Sequence, residues 1–332
     1  MVAKTLIIGG GGFIGAHVAR ALAFEGEPVD ILDNFSRGVR DPFLQEIAGM
    51  KGVRIIDADM LDPSALSHLG NDYTVIYQFA AIIGVRHVLE RPYEVLLKNV
   101  MIQAQAIDLA KRQKGLDRFV FASTSEIYAG SLKHMAVPVP TPEHVPIALP
   151  DLGHPRTSYM LSKIYGEAMC QQSDLPFIIV RPHNVYGPRM GLVHVLPELI
   201  MKARSLPQGG SLEVASVDHR RAFCYIDDGV NILRSLVAEQ KAVGGTFNLG
   251  NQDQEVTIGD VAHIVIRTIG RVDLNIVPLP ETPGSPARRC PDMSRTIDLT
   301  GFQSIVDLEE GMRRTYKWYE DNVFSGGGVS AV

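Results

Sequence analysis

A glycine-rich loop near the start of the chain restricts the possible folds more strongly than any other segment. Gly9, Gly12 and Gly15 form a GxxGxxG pattern. The pattern follows an apolar run at residues 5–8 and opens a stretch with helical spacing at residues 13–24. A tight glycine turn lets the backbone approach a pyrophosphate, and the N–H groups of the helix N-terminus then face its charge. The loop therefore predicts the first strand–turn–helix unit of a dinucleotide-binding sheet.

Short apolar runs and helical stretches alternate over the first 125 residues and continue beyond them. The runs predict strands at residues 5–8, 28–32, 53–56, 74–79, 118–122 and 177–181, and the periodicity between them predicts helices at residues 13–24, 93–111 and 158–171. Repeated strand–helix–strand order is typical of a parallel sheet with right-handed crossovers on both faces. We predict an α/β fold with a Rossmann-type doubly wound parallel sheet.

The composition changes after Arg181, where proline and glycine become frequent and the apolar runs become short. We assign a Rossmann domain to residues 1–181, a smaller mixed α/β substrate lobe to residues 182–324 and a flexible tail to residues 325–332. Within the lobe, the pattern predicts strands at residues 211–214 and 246–249 and helices at residues 227–239, 258–269 and 308–319. The lobe is expected to interleave with the first domain, so that later segments return to it.

The charge and hydropathy of the chain exclude several classes of protein. The 332 residues include 32 Lys and Arg against 37 Asp and Glu, and a formal charge of −5 argues against a nucleic-acid-binding surface. No apolar run reaches the roughly 18–20 residues of a membrane helix, and no signal-peptide pattern precedes the first strand. Cys170, Cys224 and Cys290 are too far apart for a CxxC motif. We expect a cytoplasmic protein without a metal, nucleic-acid or membrane partner.

Two acidic positions point to the adenosine half of the cofactor. Asp33 follows the second predicted strand, where a carboxylate accepts hydrogen bonds from ribose hydroxyls and repels a 2′-phosphate. This position favours NAD over NADP, and the nearby Arg37 keeps NADP as an alternative. Asp59 and Met60 follow the third predicted strand, where we expect the adenine pocket.

Tyr159 and Lys163 form a YxxxK pair at the start of a predicted helix, so their side chains share one helix face. A nearby ammonium and the cationic nicotinamide of NAD⁺ stabilise a phenolate, and we expect them to lower the pKa of Tyr159. The phenolate then takes a proton from an alcohol while hydride leaves for the cofactor. Ser123, Thr124 and Glu126 follow the fifth predicted strand, whose carboxyl end borders the same crevice.

Eight motifs occur in an order that resembles the extended short-chain dehydrogenase/reductases acting on nucleotide-diphosphate sugars. They are GGGGFIG (residues 9–15), DN (33–34), AA (80–81), STSEIY (123–128), YMLSK (159–163), RPHNVYGPR (181–189), RRAFCYIDD (220–228) and RRCPD (288–292). The likeness extends over almost the whole chain. It implies an NAD-dependent nucleotide-sugar epimerase or dehydratase, similar to UDP-sugar 4-epimerases and UDP-glucuronate decarboxylases.

The resemblance also implies roles for individual residues. Tyr159, tuned by Lys163 and assisted by Thr124, would deprotonate the sugar 4-hydroxyl while NAD⁺ accepts the C4 hydride, which gives a transient 4-keto sugar. Glu126 matches an additional acid/base residue of the decarboxylases and dehydratases. The implied substrate contacts, to the diphosphate and its oxygens, are Asn184, Arg221 and Arg289.

The predicted cofactor contacts combine the spacing arguments with the matched motifs. Asn99 is implied to steady the active site from a helix, and His183 stands where the family usually has an aromatic residue. The complete set for NAD is Gly9, Gly12, Phe13, Ile14, Gly15, Asp33, Asn34, Asp59, Met60, Ala80, Ala81, Asn99, Ser123, Tyr159, Lys163 and Pro182.

Three reactions branch from the 4-keto sugar, and the motifs divide between them. Return of hydride to the opposite face gives a 4-epimerase, loss of CO₂ from a uronic acid gives a decarboxylase, and loss of the 6-hydroxyl gives a 4,6-dehydratase. Glu126 favours the last two, whereas AIIGVR (residues 81–86) resembles epimerases and Ser125 replaces the aspartate usual in dehydratases. We predict a 4-epimerase, with the decarboxylase and the dehydratase as alternatives and a non-catalytic protein that binds NAD and a nucleotide sugar as another.

The two long predicted helices, residues 93–111 and 158–171, carry apolar residues on more than one face. They resemble the helices that form a four-helix dimer interface in this family. We therefore expect a homodimer formed through two helices of each subunit, with a nucleotide-diphosphate sugar as the small-molecule partner.

Overall fold

Parallel strands form the central sheet of the protein, which a computed structural model describes at residues 4–149, 151–282 and 285–325. The strands are β1 (Thr5–Ile8), β2 (Val29–Asp33), β3 (Val53–Asp57), β4 (Val75–Gln78), β5 (Arg118–Ala122), β6 (Phe177–Pro182), β7 (Val185–Tyr186), β8 (Ser211–Ala215), β9 (Arg220–Ala222), β10 (Cys224–Tyr225), β11 (Gly245–Leu249), β12 (Glu255–Thr257), β13 (Asn275–Leu279) and β14 (Arg288–Arg289). Seven of them make up the central sheet, in the order β11-β6-β5-β4-β1-β2-β3.

Helices connect these strands and cover both faces of the sheet. They are α1 (Phe13–Phe24), α2 (Pro42–Ala48), α3 (Pro63–Leu66), α4 (Val85–Glu90), α5 (Pro92–Lys111), α6 (Ala129–His134), α7 (Arg156–Gln171), α8 (Val195–Ser205), α9 (Ile226–Ala238), α10 (Ile258–Thr268), α11 (Ser294–Thr300) and α12 (Leu308–Tyr319). Short 3₁₀ turns lie at Ser125–Tyr128 and Gln240–Ala242, and a π-helical turn follows α12 at Glu320–Phe324.

The strand order places the reversal of the sheet between β1 and β4. The chain runs from β1 through β2 to β3, then returns to β4 and continues outward to β11. All six of these strand pairs are parallel. In open α/β sheets, ligands bind at the carboxyl ends of the strands beside such a reversal. The predicted doubly wound parallel sheet and its six predicted strands are confirmed.

Alternation of side chains along each strand builds one apolar layer on each face of the sheet. In β1, Ile7 packs in the layer that contains Ala16 of α1 and Val230 of α9. Its neighbours Leu6 and Ile8 pack in the opposite layer, with residues of α5 and α7. Because both faces are covered, the central strands are continuous apolar runs rather than alternating ones.

The seventh strand, β11, comes from the predicted second lobe and pairs with β6 at the edge of the central sheet. Phe247, Asn248 and Leu249 are all buried, on both faces of the strand. A later segment thus contributes to the first sheet, and the boundary at residue 181 remains a prediction. Apart from Ser325, the predicted tail lies outside the described residues.

Three small sheets lie in the second half of the chain: β7 with β10, β8 with β13, and β9 between β12 and β14. The register of β9 and β14 places Arg221 beside Arg289. No helix within the described ranges is long and apolar enough to cross a membrane. The same ranges contain no group of His, Cys, Asp and Glu that fits a metal ion. The three cysteines are buried free thiols.

Candidate active site

The glycine loop packs tightly against the residue pair after β4 and against itself, so that two of its positions have no room for a side chain. Gly9 has a φ of +79°, and a Cβ placed there would lie 2.6 Å from the amide nitrogen of Ala80. A Cβ on Gly15 would lie 2.5 Å from the carbonyl oxygen of Gly9. These contacts bring the N-terminus of α1 onto the loop, which forms the cradle that a pyrophosphate requires.

Asp33, at the end of β2, holds the glycine loop as well as facing the crevice. Its carboxylate accepts the N–H of Gly11 at 2.9 Å and the N–H of Phe35 at 2.8 Å. Burial raises the pKa of Asp33, and these two hydrogen bonds act in the opposite direction. Each oxygen retains a further lone pair for a ribose hydroxyl, so the predicted ribose contact remains compatible with the structure.

Arg189 fixes the outer side of the same loop, a role that the sequence analysis missed. Its guanidinium bonds Asp41 at 2.5 Å and donates to the carbonyl oxygens of Gly11 and Gly12, each at 3.2 Å. Both side chains of the Arg189–Asp41 ion pair are buried. The only signal in the sequence is that the RPHNVYGPR motif ends in arginine.

Arg37 lies within electrostatic reach of Tyr159 and His194. Its charge lowers the pKa of Tyr159. Burial is the main cause of the lowered pKa of His194, and the charge of Arg37 lowers it further. The strongest charge acting on Asp33 is instead that of Arg189. Within the described chain, the half-buried guanidinium of Arg37 has no hydrogen bond or ion pair.

The remaining cofactor candidates gather at the same edge of the sheet. Asn34 donates to Asp59 at 2.9 Å, which joins the ends of β2 and β3. Met60 is buried in the apolar layer beneath them. The partly buried candidates along this edge are Phe13, Ile14, Ala80, Ala81 and Pro182.

Asn99 on α5 connects the loop after β4 to α7. Its side chain accepts the N–H of Ile82 at 2.7 Å and donates to the carbonyl of Ile82 at 3.0 Å. It also donates to the hydroxyl of Ser162 at 3.3 Å. This geometry supports the positioning role inferred from the resemblance, which remains a prediction.

The structure brings Tyr159, Thr124, Glu126 and Lys163 together at the carboxyl end of β5. The side chain of Thr124 lies near the phenol of Tyr159 and lowers its pKa. The Thr124 hydroxyl also caps the following 3₁₀ turn, because it accepts the N–H of Glu126 at 3.2 Å. Lys163 donates to the carbonyl of Ala122 at 2.8 Å, and its ammonium lies 5.8 Å from the centre of the Tyr159 ring.

The expected lowering of the Tyr159 pKa is wrong for the protein on its own. Burial raises the pKa of Tyr159 above its usual value, and the Glu126 carboxylate raises it further, while Thr124 and Arg37 act in the opposite direction. Lys163 is itself buried, which lowers its pKa to about 8, and its ammonium is engaged with a backbone carbonyl. A developing phenolate at Tyr159 therefore depends on positive charge brought by a ligand.

Ser123, between β5 and Thr124, has a buried hydroxyl without a hydrogen-bond partner in the described part of the chain. Buried polar groups in proteins are nearly always paired. An unpaired hydroxyl at the ligand edge of the sheet is consistent with the predicted cofactor contact, and Ser123 directly precedes Thr124 in the chain.

Two of the predicted substrate contacts, Asn184 and Arg221, are associated with β9. Arg221 also makes hydrogen bonds within the protein that its predicted role as a phosphate ligand does not include. Asn184 donates its side-chain amide to the carbonyl of Ala222 at 2.8 Å. The guanidinium of Arg221 donates to the hydroxyl of Ser285 at 2.8 Å and the carbonyl of Pro286 at 2.7 Å. These bonds tie β9 to the segment that leads into β14, so Arg221 supports the site wall as well as carrying charge.

Arg289 is the freer of the two predicted phosphate ligands. Its Nε is buried and lacks a partner among residues 4–149, 151–282 and 285–325. Burial lowers the pKa of Arg221 to about 10, and the like charge of Arg289 lowers it as well. These two cations lie on paired strands and favour a dianionic ligand beside them, since charge-assisted bonds to phosphate would offset the cost of burial and of the adjacent like charges.

Comparison with known proteins shows which family and which relatives this chain is similar to. The model of the NAD dependent epimerase/dehydratase family matches residues 5–250. A UDP-N-acetyl-alpha-D-glucosaminuronate decarboxylase from Bacillus cytotoxicus is 30% identical, over 97% of this chain and 99% of that protein. UDP-glucuronic acid decarboxylase 1 from Xenopus tropicalis is 30% identical, over 95% of this chain and 72% of that protein.

Solved structures share the whole architecture. The crystal structure of a UDP-glucuronic acid 4-epimerase from Bacillus cereus, in complex with UDP-glucuronic acid and NAD, superimposes with a TM-score of 0.80. Its sequence is 26% identical, and the superposition covers 96% of this chain and 99% of that one. The similarity therefore includes the second lobe as well as the central sheet.

Proposed function

This chain belongs to the NAD dependent epimerase/dehydratase family, and on that premise we propose that it is a 4-epimerase of a UDP-uronic acid. It is an NAD-dependent enzyme with a Rossmann-type fold, since the family is NAD-dependent and the proteins similar to this chain are named decarboxylases and epimerases. NAD supplies a hydride acceptor for C4 of the sugar. The alternative of a non-catalytic binding protein is therefore set aside.

The observation that carries this proposal is the grouping of Tyr159, Thr124 and Lys163 at the carboxyl end of β5, the edge of the sheet at which the glycine cradle also lies. Tyr159 takes the proton of the sugar 4-hydroxyl while the C4 hydrogen leaves as hydride, so the C4–O unit becomes a ketone. Thr124 holds the same oxygen, and Lys163 holds the wall of the crevice through Ala122. The keto sugar would then turn in the site so that hydride returns to its opposite face and Tyr159 returns the proton, which gives the 4-epimer.

Two groups of cations support a UDP-uronic acid as substrate. Arg221 and Arg289, on adjacent strands, suit the diphosphate. Arg37, a half-buried guanidinium within electrostatic reach of Tyr159, suits a carboxylate on the sugar. The proteins compared above are named for UDP-glucuronic acid or a UDP-N-acetylated uronic acid, which agrees with this substrate class.

The charge of Arg37 also favours epimerisation over decarboxylation. A 4-keto uronic acid is a β-keto acid, which loses CO₂ when the carboxylate gives up its charge to the ketone. An ion pair with Arg37 stabilises the carboxylate before that loss and so raises the barrier to it. An enzyme that keeps the carboxylate can return the hydride and release the epimer.

The test is incubation of purified protein and NAD with UDP-glucuronic acid, UDP-glucose, and dTDP- and GDP-linked sugars. We expect UDP-glucuronic acid to be converted into its 4-epimer, identified by proton NMR, with no release of CO₂. Formation of a UDP-pentose and CO₂ would show that the protein is a decarboxylase and not an epimerase. Conversion of a neutral sugar alone would remove the proposed role of Arg37.

Decarboxylation is the second candidate, because relatives at 30% identity carry that name and because Glu126 acts on Tyr159. For an epimerase, we expect Glu126→Gln to change kcat by less than about threefold, since the proton shuttle does not use this carboxylate. The rising limb of the pH–rate profile should move to lower pH, because removing a negative charge lowers the pKa of Tyr159. A fall of about 100-fold in kcat would favour the decarboxylase or dehydratase. Glu213→Gln is the matched control, because Glu213 is exposed on β8.

We also propose a homodimer through α5 and α7. Tyr93, Leu97 and Met101 form an exposed apolar stripe at i, i+4 and i+8 on α5, and Tyr165 is half exposed on α7. Light scattering at micromolar concentration should give twice the mass of one chain. Leu97→Arg should halve that mass, since it places a charge in the apolar stripe. A monomeric parent protein, or equal disruption by the control Val272→Arg at a distant exposed site, would contradict the interface.

A further inference from the structure

A buried carboxylate lies one helical turn beyond Lys163 on α7. Lys163 and Glu167 are four residues apart, and the two residues are 5% and 4% exposed. Side chains at i and i+4 share one face of a helix, so Glu167 lies on the face of α7 that carries Lys163. The proton transfer at Tyr159 gives this carboxylate no role.

Arg181 on β6 engages both oxygens of Glu167. Its Nε donates to Oε1 at 2.9 Å, and its Nη2 donates to Oε2 at 2.7 Å. Its Nη1 donates to the hydroxyl of Tyr128 at 2.7 Å and to the carbonyl of Glu143 at 2.9 Å. Burial acts against the charge of Arg181, but the carboxylate of Glu167 outweighs it and raises the pKa of Arg181. The guanidinium stays charged, so two buried cations and one buried anion meet at α7.

The charge of Lys163 depends on its neighbours, because the residue is buried. Burial lowers the pKa of Lys163 to about 8, and the charges of Cys170 and Glu167 act in the opposite direction. Burial also raises the pKa of Cys170 to about 12, so Cys170 is a neutral thiol over most of the range in which an enzyme is assayed. Within the described ranges, Glu167 is therefore the anion whose charge acts on Lys163 near neutral pH.

The other elements that pack against α7 present neutral groups, or charges that act elsewhere. The neutral groups are the carbonyl of Ala122, the ring of Phe121, the amides of Asn99 and Gln103 on α5, and the hydroxyl of Ser162. None of the described charges on α4 or in the 3₁₀ turn after β5 acts on Lys163, and that of Glu126 acts on Tyr159. The charge of Arg181 is also not among those that act on Lys163, so its influence on the amine passes through Glu167.

The ammonium of Lys163 lies 5.8 Å from the centre of the Tyr159 ring. A positive charge at this distance stabilises the phenolate that takes the 4-hydroxyl proton, whereas a neutral amine does not. We propose that Glu167 and Arg181 are positioning residues that act through Lys163: Glu167 keeps the ammonium charged, and Arg181, by holding both carboxylate oxygens, limits the strength of that interaction. The effect on turnover rests on the proposed function.

Carbon-13 NMR of the lysine side chains tests the proposal without substrate, because the Cε resonance reports the protonation of each amine, and Lys163→Met assigns the signal. In the parent protein we expect Lys163 to titrate near pH 8. Glu167→Gln should move this titration down by about half to one pH unit, since it removes the anion. Arg181→Met should move it up by about the same amount, since the carboxylate is then free to turn to Lys163. Shifts in the same direction, or no shifts, would contradict the proposal.

The double variant Glu167→Gln with Arg181→Met leaves neither partner of the pair as an unpaired buried charge, so it is expected to fold even where a single variant does not. Because Arg181 acts only through Glu167, Lys163 should titrate in this variant as it does in Glu167→Gln, below the parent. A titration equal to that of the parent overturns the proposal. Glu46→Gln removes an exposed carboxylate paired with Arg20 and is the control, and a shift of Lys163 in this variant as large as in Glu167→Gln would overturn the proposal as well.

Turnover separates an action through Lys163 from a general loss of structure. At pH 8 we expect Glu167→Gln to lower kcat with UDP-glucuronic acid by about two- to fivefold, which is the loss of charged Lys163 that the lower pKa implies. In a Lys163→Met background the same substitution should change kcat by less than about twofold, since the charge through which it acts is gone. Falls of equal size in both backgrounds assign Glu167 a merely structural role and overturn the proposal. Absence of turnover with every nucleotide sugar overturns the proposed function, and the lysine titrations still decide whether Glu167 sets the charge of Lys163.

Discussion

Replacing Tyr159 by phenylalanine is expected to lower kcat by about 10²- to 10⁴-fold, because the variant loses the group that takes the 4-hydroxyl proton. The ring remains, so the fold and the glycine cradle are expected to stay intact and NAD to bind with little change. Steady-state rates with the substrate proposed above, together with a titration of NAD by protein fluorescence, measure the two effects separately.

Tyr165→Phe is the matched control for this experiment. Tyr165 lies on the same helix but is half exposed to solvent, so loss of its hydroxyl should leave kcat within about twofold of the parent. Turnover of the Tyr159 variant above a few per cent of the parent would remove the phenol from the proton transfer. A parallel loss of NAD binding would show that the substitution disturbs the site and not only its chemistry.

Glu167→Gln is expected to reduce the free energy of unfolding by about 3–5 kcal/mol, since it leaves the buried guanidinium of Arg181 without its counterion. The two side chains form a bidentate pair, with N–O distances of 2.9 Å and 2.7 Å, and each is only 5% exposed. Urea unfolding followed by circular dichroism gives the change, provided that both proteins unfold in a single transition.

The control for that prediction is Glu46→Gln, which removes an exposed ion pair with Arg20 whose N–O distance is 3.4 Å. Exposed pairs contribute between about 0 and 1 kcal/mol, so the expected change is small. Equal losses in the two variants would mean that burial does not set the strength of the Glu167–Arg181 pair.

The central sheet could be predicted from the sequence because its determinants are local. The apolar runs of β1 and β5 and the glycines at Gly9 and Gly15 fix strand, turn and helix within a few neighbouring residues. β11 was recognised as a strand, but its place beside β6 depends on pairing with a partner more than sixty residues earlier in the chain. No local pattern carries that information.

The orientation of the long cationic side chains could not be predicted for a related physical reason. Arg189, Arg221 and Arg37 each have a flexible stem, and the groups that they reach come from distant segments. Arg189 contacts a loop 177 residues before it, and Arg221 contacts a segment 65 residues after it. The pKa of Tyr159 was missed because burial, which the spacing of YxxxK does not report, outweighs the neighbouring charges.

The position of Asn248 on β11 has a consequence for the order in which the molecule can be assembled during synthesis. This one side chain joins Tyr128 and His183 to Thr141 and Asp292, and it is fully buried. A chain leaving the ribosome has already released every residue of the glycine cradle and the YxxxK pair when Asn248 is still to be translated. The network around Asn248 is completed later still, because Asp292 follows Asn248 by 44 residues.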